Sequence, residues 1–401
     1  MVATHVKTVN LIEAFDVEKR HLIYGGFYPI RNYSTLNKCL YYIKATFTTT
    51  ISCLEWLLLI IFVYTKFPDI LKVSECLLIC LTQTAFIFKL INFIKQKNGM
   101  LIIEEQLRDS LLTDINEEEE KIFVEYVNGV KQLAKVYRSI CAVAVGFFGL
   151  CPILDQGSEE IRKLPIPIWV PFNTEDYYFY IWLAILFSLC ISVWTNCTID
   201  ILTIMLFIIA TAQFKILIKR FKNVVPPGDK NIHEAIVNQS LTKCIVQFNK
   251  INSFINTLEN IFSNGIFIQF LCSVLVICLT GFQMFVISFQ KLEIILLFTY
   301  FNCMMCQVVM YCWYGHLLME SSDEITEACY STFWYKCNAK IQKIFITVME
   351  RSKYPVKLKA GNFYTLNLAT LMTILRSSYS YFAVIQHVYT NRMQANMDSI
   401  N

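Results

Sequence analysis

FYTLNLATLMTILRSSYSYFAVIQHV, residues 363–388, is long and apolar enough to span a membrane, yet hydroxyl groups and one arginine interrupt it. The hydroxyl side chains among its Leu, Ile and Val residues include those of Thr365, Thr370, Thr373, Ser377, Ser378 and Ser380. Polar side chains at membrane depth usually face protein or water rather than lipid. The segment therefore predicts either a pore lining or a polar seam between packed helices.

The whole chain has the composition of a membrane protein. Of its 401 residues 55% are hydrophobic, and the mean hydropathy is +0.47, above that of soluble domains. Windows of about 20 residues contain seven apolar segments. These cover residues 43–65, 70–94, 137–154, 178–213, 262–289, 293–318 and 363–388. We therefore predict an all-α membrane protein with seven transmembrane helices.

Basic residues flank these segments unevenly. With a cytoplasmic N-terminus, 26 lysines and arginines fall on the inside and 6 on the outside. Because cytoplasmic loops are enriched in Lys and Arg, we predict that the N-terminus is cytoplasmic and that the C-terminus is extracellular. This orientation is opposite to that of a G-protein-coupled receptor. Residues 1–40 have no basic start followed by an apolar run, so no cleavable signal peptide is predicted.

Helical patterns continue beyond the membrane on the predicted cytoplasmic side. Residues 178–213 would be about 54 Å long as one helix, against a hydrocarbon core of about 30 Å. Residues 231–262 keep an amphipathic spacing that leads into the fifth span, and Pro226-Pro227-Gly228 breaks the chain before them. A further amphipathic helix is predicted at 339–349. Together these pieces predict an intracellular platform that suits subunit contacts, although a purely structural role is the alternative.

The acidic run Glu117–Glu120 is typical of a solvated helix start, with Asn116 as its N-cap. The outer loop 155–177 is acidic and rich in proline, which is consistent with a lid or with a plain connector.

Several classes of function find no support. The net charge of +4 is mild and spread over the inner loops, so no nucleic-acid partner is predicted. Most of the 16 cysteines lie within spans as small apolar residues, and the Cys303–Cys306 pair has no second pair or histidine cluster near it. No span combines a nucleophile with a base, so neither an enzyme nor a cofactor is predicted.

The C-terminal run resembles the signature of insect odorant receptors. The residues that carry the resemblance are Ala360-Gly361-Asn362-Phe363, Thr365-Leu366-Asn367-Leu368 and Leu375-Arg376-Ser377-Ser378-Tyr379-Ser380-Tyr381-Phe382. The length, the seven spans and the predicted orientation agree with that family over the full chain.

The resemblance implies an odorant-gated, non-selective cation channel that passes monovalent and divalent cations. It implies a heterotetramer with the olfactory co-receptor, a small volatile odorant as ligand, and the plasma membrane of olfactory sensory dendrites as location. It also implies five parts. They are a cytoplasmic N-terminus (1–40), six helices with the ligand-binding bundle (41–320), a cytoplasmic loop and short amphipathic helix that form an anchor (321–362), the pore-lining seventh helix (363–388) and an extracellular tail (389–401).

In that family the last span lines the pore, and aliphatic residues four apart close it near the outer end. Val384 and Val388 occupy the matching positions here, and residues four apart share one helix face. A ring of such side chains closes a pore by excluding water. Ser380, Tyr381 and His387 complete the predicted pore residues. Valines that face lipid or a neighbouring helix are the alternative.

One departure from the family pattern affects this assignment. The family and its gustatory relatives usually show Thr-Tyr, five apolar residues and Gln, whereas here four apolar residues separate Ser380-Tyr381 from Gln386. Either His387 takes the glutamine position or the register shifts by one. A histidine near the pore would make the current depend on pH, since histidine titrates at about pH 6.5; identical responses at about pH 5.5 and pH 7.5 would exclude this. Arg376, deeper in the span, is predicted to find a carbonyl, an acid or water.

The family's odorant pocket lies in the outer half of spans two, three, four and six. The residues predicted there are Ile79, Gln83, Phe147, Leu150, Tyr178, Trp182, Tyr300 and Met304. Aromatic walls with a few polar groups suit a small, mostly apolar ligand, while simple helix packing is the alternative for each residue.

Two rival classes remain. A gustatory-type homomeric channel shares the topology, although the SSYSYF ending argues against it. A G-protein-coupled receptor lacks support because the charge bias is inverted and neither a DRY triplet nor an NPxxY motif is in place.

Overall fold

The computed structural model describes residues 7–29, 35–154, 164–172, 174–225, 234–286, 291–361 and 363–398, which form eleven α-helices and four very short strands. The helices are α1 (Asp16–Gly25), α2 (Thr35–Lys66), α3 (Ile70–Lys95), α4 (Lys97–Gln106), α5 (Ser110–Thr113), α6 (Glu117–Leu154), α7 (Tyr178–Lys222), α8 (Glu234–Val286), α9 (Lys291–Tyr330), α10 (Ala339–Ser352) and α11 (Leu368–Asp398). The strands are β1 (Lys7–Thr8), β2 (Asp114–Ile115), β3 (Lys359–Ala360) and β4 (Tyr364–Thr365). Short 3-10 helices cover Leu11–Phe15 and Trp334–Lys336.

Seven of these helices are long and apolar enough to cross a membrane, namely α2, α3, α6, α7, α8, α9 and α11. The predicted all-α architecture with seven spans is therefore confirmed. Their orientation relative to the two sides of the membrane stays a prediction.

Four of the spans extend well beyond a bilayer. Helices α6, α7, α8 and α9 have 38, 45, 53 and 40 residues, which at 1.5 Å per residue gives lengths of about 57, 68, 80 and 60 Å. The predicted amphipathic segment 231–262 is continuous with the fifth span from Glu234 onward, as expected. The predicted break at Pro226–Gly228 lies outside the described residues.

The projecting ends of α6 to α9 pack with α1, α4, α5 and α10, and we call this assembly the platform. Helix α10 buries Ile341, Phe345 and Val348 and contacts α9, as its amphipathic spacing predicts. Helix α7 is the centre of the platform. Phe207, Phe214 and Phe221 lie seven residues apart on it, and each is at most 1% exposed.

The acidic start of α6 is less solvated than its sequence indicates. Asn116 caps the helix as predicted, since its Oδ1 accepts from the Glu119 backbone N–H at 2.8 Å. However, Glu119 is buried and pairs with Arg220 of α7, Nε to Oε1 at 2.9 Å, and Glu118 pairs with Lys219. The expectation of a simply solvated run is therefore wrong, because basic residues about a hundred positions later in the chain face it.

The N-terminal segment is fixed to the platform by buried polar contacts. The Tyr28 hydroxyl donates to Glu104 Oε1 at 2.7 Å, and Lys19 Nζ lies 2.7 Å from the same oxygen. Burial, and then the Glu104 hydrogen bond, raise the pKa of Tyr28 well above its ordinary value. Arg138 of α6 pairs with Glu18 at 2.5 Å. These contacts join α1 to α4 and α6.

Helix α11 begins at Leu368, five residues later than the predicted span. Residues before it form the β3–β4 hairpin, whose turn includes Gly361 with a φ of 58°. A Cβ on Gly361 would lie 2.6 Å from the Phe267 ring, so a larger residue does not fit there. Asn367 then caps α11 by accepting from the Thr370 N–H at 2.9 Å. The turn at Gly361 and the N-cap at Asn367 thus determine where the last helix begins.

Candidate functional site: a cavity between four spans and an uncovered helix face

A cavity of about 100 Å³ lies between α3, α6, α7 and α9. These are spans two, three, four and six, as predicted for the pocket. Four of the eight predicted ligand residues line it. They are Ile79, Gln83, Tyr300 and Met304.

The other four predicted ligand residues lie away from this cavity. Phe148 rather than Phe147 lines it, and Leu150 is 53% exposed on the outside of α6. Tyr178 is buried at the start of α7. Trp182 donates from Nε1 to the Gly149 carbonyl at 3.2 Å and thereby links α7 to α6. The structure does not bring these four into the cavity wall, so a ligand contact for them stays a prediction.

The missed wall residues on α6 share a helical spacing that could have identified them. Tyr137, Cys141, Ala144 and Phe148 all line the cavity and follow each other at intervals of three or four residues. The sequence predicted the cavity residues of α6 from their depth in the membrane alone. Depth does not fix which side of a helix faces inward.

The walls are mostly apolar, and their polar groups are mutually paired. The Tyr300 hydroxyl lies 3.3 Å from the Leu78 carbonyl and 3.4 Å from Thr82 Oγ1. The thiols of Cys141 and Cys303 are 3.3 Å apart. A ligand in this space therefore meets mainly hydrocarbon, aromatic and sulfur surface.

A buried ion pair lies at one end of the cavity. Lys89 Nζ of α3 is 2.5 Å from Asp200 Oδ1 of α7, with side chains only 5% and 0% exposed. Asn196 and Gln307 line the cavity and contact this pair, since Asn196 Oδ1 accepts from Lys89 at 2.9 Å and Gln307 donates to Asp200. Tyr311 donates to Asp200 at 2.6 Å. Charges within otherwise apolar spans were the signal for this network.

Helix α11 is covered on one side only. Phe382 and Tyr389 face α8, where the Tyr389 ring contacts Phe282 at a centroid distance of 5.4 Å. The five predicted pore residues are all exposed on the opposite side. They are Ser380, Tyr381, Val384, His387 and Val388. At 3.6 residues per turn they fall within about 120° of the helix circumference.

Arg376 is exposed next to this face, about one turn before Ser380. Among the described residues no hydrogen bond or ion pair includes Arg376, so the predicted pairing is not found within this part of the subunit. His387 is also exposed, with its Nδ1 3.3 Å from Asn391 Nδ2.

Comparison with known families gives the class of the chain. The family model described as "7tm Odorant receptor" matches residues 69–379. The chain belongs to the 7tm odorant receptor family.

Odorant receptors of flies and mosquitoes are similar to the chain over most of its length. Odorant receptor Or1 of Anopheles gambiae is 24% identical, over 79% of this chain and 82% of the relative. Odorant receptor 46a, isoform A, of Drosophila melanogaster is 24% identical over 83% of this chain and 87% of the relative.

The fold is that of a solved insect olfactory receptor. The structure of OR5 from Machilis hrabei in complex with eugenol superposes with a TM-score of 0.81 at 15% identity, covering 94% of this chain and 97% of that chain. The structure of the same receptor titled without a ligand gives a TM-score of 0.82.

Membership makes this odorant receptor a multi-pass membrane receptor rather than an enzyme. The matched region contains α3 to α9 and the cavity, but it ends at Tyr379. The five predicted pore residues of this odorant receptor therefore lie just beyond it.

Proposed function

We propose that this odorant receptor is the ligand-tuning subunit of an odorant-gated, non-selective cation channel. It assembles with the olfactory co-receptor as a heterotetramer and passes monovalent and divalent cations across the plasma membrane of olfactory sensory dendrites. The observation that carries the proposal is the uncovered face of α11. An apolar helix that exposes a serine, a tyrosine, a histidine and two valines on one side suits a water path shared between subunits better than lipid.

Val384 and Val388 form the proposed gate. Their side chains are 62% and 46% exposed in the single subunit, one helical turn apart. A ring of aliphatic side chains at a narrow point blocks ions by dewetting. When the helices separate, the same ring admits water, and the neighbouring Ser380 and Tyr381 supply polar groups to the path.

The orientation follows from the charge bias. Residues 1–40 and the anchor region 321–362 lie in the cytoplasm, and residues 389–401 lie outside. The platform, which carries many of the basic residues, is then cytoplasmic and provides contacts between subunits. Ion pairs of Glu118 with Lys219 and of Glu119 with Arg220 link α6 to α7 in the platform.

The odorant binds in the cavity between α3, α6, α7 and α9. Its volume of about 100 Å³ is well below the roughly 300–1,000 Å³ of ordinary small-molecule pockets. A volatile of several carbon atoms must therefore move the wall side chains apart. Because the ligand then fits the expanded arrangement better, its binding energy shifts the channel toward that state.

The test is whole-cell current in a heterologous cell that expresses this chain with or without an insect olfactory co-receptor, under blocked G-protein signalling, while a broad volatile panel is applied. Current that requires the co-receptor is the expected result. Current from this chain alone would instead indicate a gustatory-type homomer. A response that disappears under the block would indicate a G-protein-coupled receptor.

A further inference from the structure

A carboxyl group without a counter-charge lies behind one wall of the cavity. Glu55 of α2 is 5% exposed, and its Oε2 accepts from the Ser188 hydroxyl of α7 at 2.5 Å. Its other oxygen, Oε1, is buried and has no hydrogen-bond partner. In the described part of the chain no lysine, arginine or histidine pairs with it. An acid in this position is costly unless a donor or a cation reaches it.

The Gln83 side chain connects this carboxyl to the cavity. Gln83 lines the cavity, and its Nε2 lies 3.4 Å from Glu55 Oε2. The same nitrogen lies 3.3 Å from the Ser52 carbonyl and 3.2 Å from Ser192 Oγ, and Ser192 also lines the cavity. One amide nitrogen is thus surrounded by three acceptors, one of them a carboxyl oxygen.

The number of acceptors exceeds what an amide can satisfy. An amide NH2 carries two hydrogens, whereas a primary ammonium carries three and a positive charge. Three oxygen acceptors at nearly equal distances, with an uncompensated acid among them, match the ammonium better. Moving the Gln83 side chain aside would open this position to a molecule in the cavity.

We propose that the three acceptors of Ser52, Glu55 and Ser192 form a subsite for the amino group of a volatile primary amine whose hydrocarbon part occupies the cavity. Ser188 supports the subsite by donating to Glu55. This inference rests on the proposed function and names the ligand class. The neutral amine enters, its nitrogen lone pair takes the proton of the Glu55 carboxyl, and an N–H bond forms as the O–H bond breaks. The resulting ammonium and carboxylate form a charge-assisted hydrogen bond in a site of low dielectric constant.

The experiment compares a primary amine with the alcohol of the same carbon skeleton in cells that express the channel and respond to a panel odorant. In the wild type the amine is expected to act at a concentration about tenfold lower, the effect of a difference of about 1.4 kcal/mol. Glu55→Gln keeps the size and removes the ionisable group, so the advantage of the amine disappears while the alcohol response remains. The exposed Glu117→Gln is the matched control and keeps the advantage.

Purified receptor gives a readout that does not need the current. The amine is expected to raise Tm more than the alcohol at equal concentration, and this difference is lost in Glu55→Gln. Ser188→Ala, which removes one hydrogen bond to Glu55, serves if Glu55→Gln does not fold, and reduces the difference. Equal effects of amine and alcohol on the wild type, or an equal loss for both in the variant, overturn the inference. Co-receptor-independent or absent current, with the amine-specific Tm shift retained, would contradict the proposed function and leave the subsite standing.

Discussion

Helices α7 and α11 are both apolar spans, but the subunit buries them to very different extents. In the most apolar window of α7, 94% of the residues are buried, against 17% in that of α11. Helix α7 contacts α6, α8 and α9, whereas α11 rests mainly on α8 and α9. The comparison shows that α7 is packed on all sides within one subunit, whereas one face of α11 is left to contact groups outside the subunit.

The sequences of the two helices explain the difference. Residues 199–214 of α7 are apolar nearly all round the helix. Its threonine hydroxyls hydrogen-bond within the helix, as when Thr211 donates to the Phe207 carbonyl at 2.9 Å. Helix α11 turns Phe382 and Tyr389 toward α8 and exposes Val384, His387 and Val388 on the opposite side. A helix that is apolar on one side only needs a second environment for the other side.

The largest expected effect comes from truncating the core of α7. Phe214→Ala should destabilise the subunit by about 4 kcal/mol, because it leaves a cavity in a fully buried site. Surface expression and the Tm of solubilised protein measure this. Phe187→Ala on the same helix is the control, since Phe187 is 51% exposed, and it should change Tm far less. Equal losses would mean that α7 is not the structural centre.

A somewhat smaller loss is expected at the buried ion pair. Lys89→Met leaves Asp200 buried without its cation and should destabilise by about 3 kcal/mol. Adding Asp200→Asn removes the orphaned charge while it keeps an acceptor for Tyr311, so the double variant should regain part of the stability. Thermal unfolding of Lys89→Met, Asp200→Asn and the double variant gives the coupling free energy. Additive losses would show that the pair contributes no specific interaction.

On α11 the effect should fall on the current rather than on stability. Val388→Ser should raise the unliganded current several-fold, because a hydroxyl in the gate lowers the cost of wetting it. Leu375→Ser, on the opposite side of the helix, should not raise it when the currents are normalised to surface expression. An unchanged leak in Val388→Ser would remove this valine from the gate.

The smallest expected effect separates the cavity wall from its surroundings. Met304→Ala should shift the half-maximal odorant concentration by about three- to tenfold, which corresponds to about 1 kcal/mol, without a change in ion selectivity. Trp182→Ala should shift it less, since Trp182 contacts Gly149 and not the cavity. Dose–response curves for the two variants decide the order. A larger shift of the half-maximal concentration in Trp182→Ala than in Met304→Ala would show that Trp182 belongs to the ligand site.

The sequence predicted the spans well because apolar windows depend only on local composition. It also predicted α10, the cap at Asn116 and the continuity of α8, which are local patterns. The sequence failed to predict the environment of a residue where that environment depends on the rotation of a helix about its axis or on a partner distant in the chain. Phe148 and not Phe147 lines the cavity because the rotation of α6 is set by α7 and α9, and Glu119 is buried because Arg220 reaches it.

The cavity illustrates the same limit. Glu55, Lys89 and Asp200 are visible in the sequence as charges inside apolar spans, which marks them as noteworthy. Their partners lie on other helices, more than a hundred residues away in the chain both for Glu55 with Ser188 and for Lys89 with Asp200. No local pattern assigns those pairs.

The most direct test of the central claim, that the uncovered face of α11 lines the pore, is the reaction of single cysteines with a membrane-impermeant thiol reagent during odorant-evoked current. Val384→Cys and Ile374→Cys are compared with the wild type, which controls for the native cysteines; Ile374 is 4% exposed. The account predicts that the reagent blocks the current of Val384→Cys in the presence of odorant and leaves Ile374→Cys and the wild type unchanged. Block of Ile374→Cys with an unaffected Val384→Cys would place the pore at a position that the subunit buries, and not on the uncovered face, and would contradict the account.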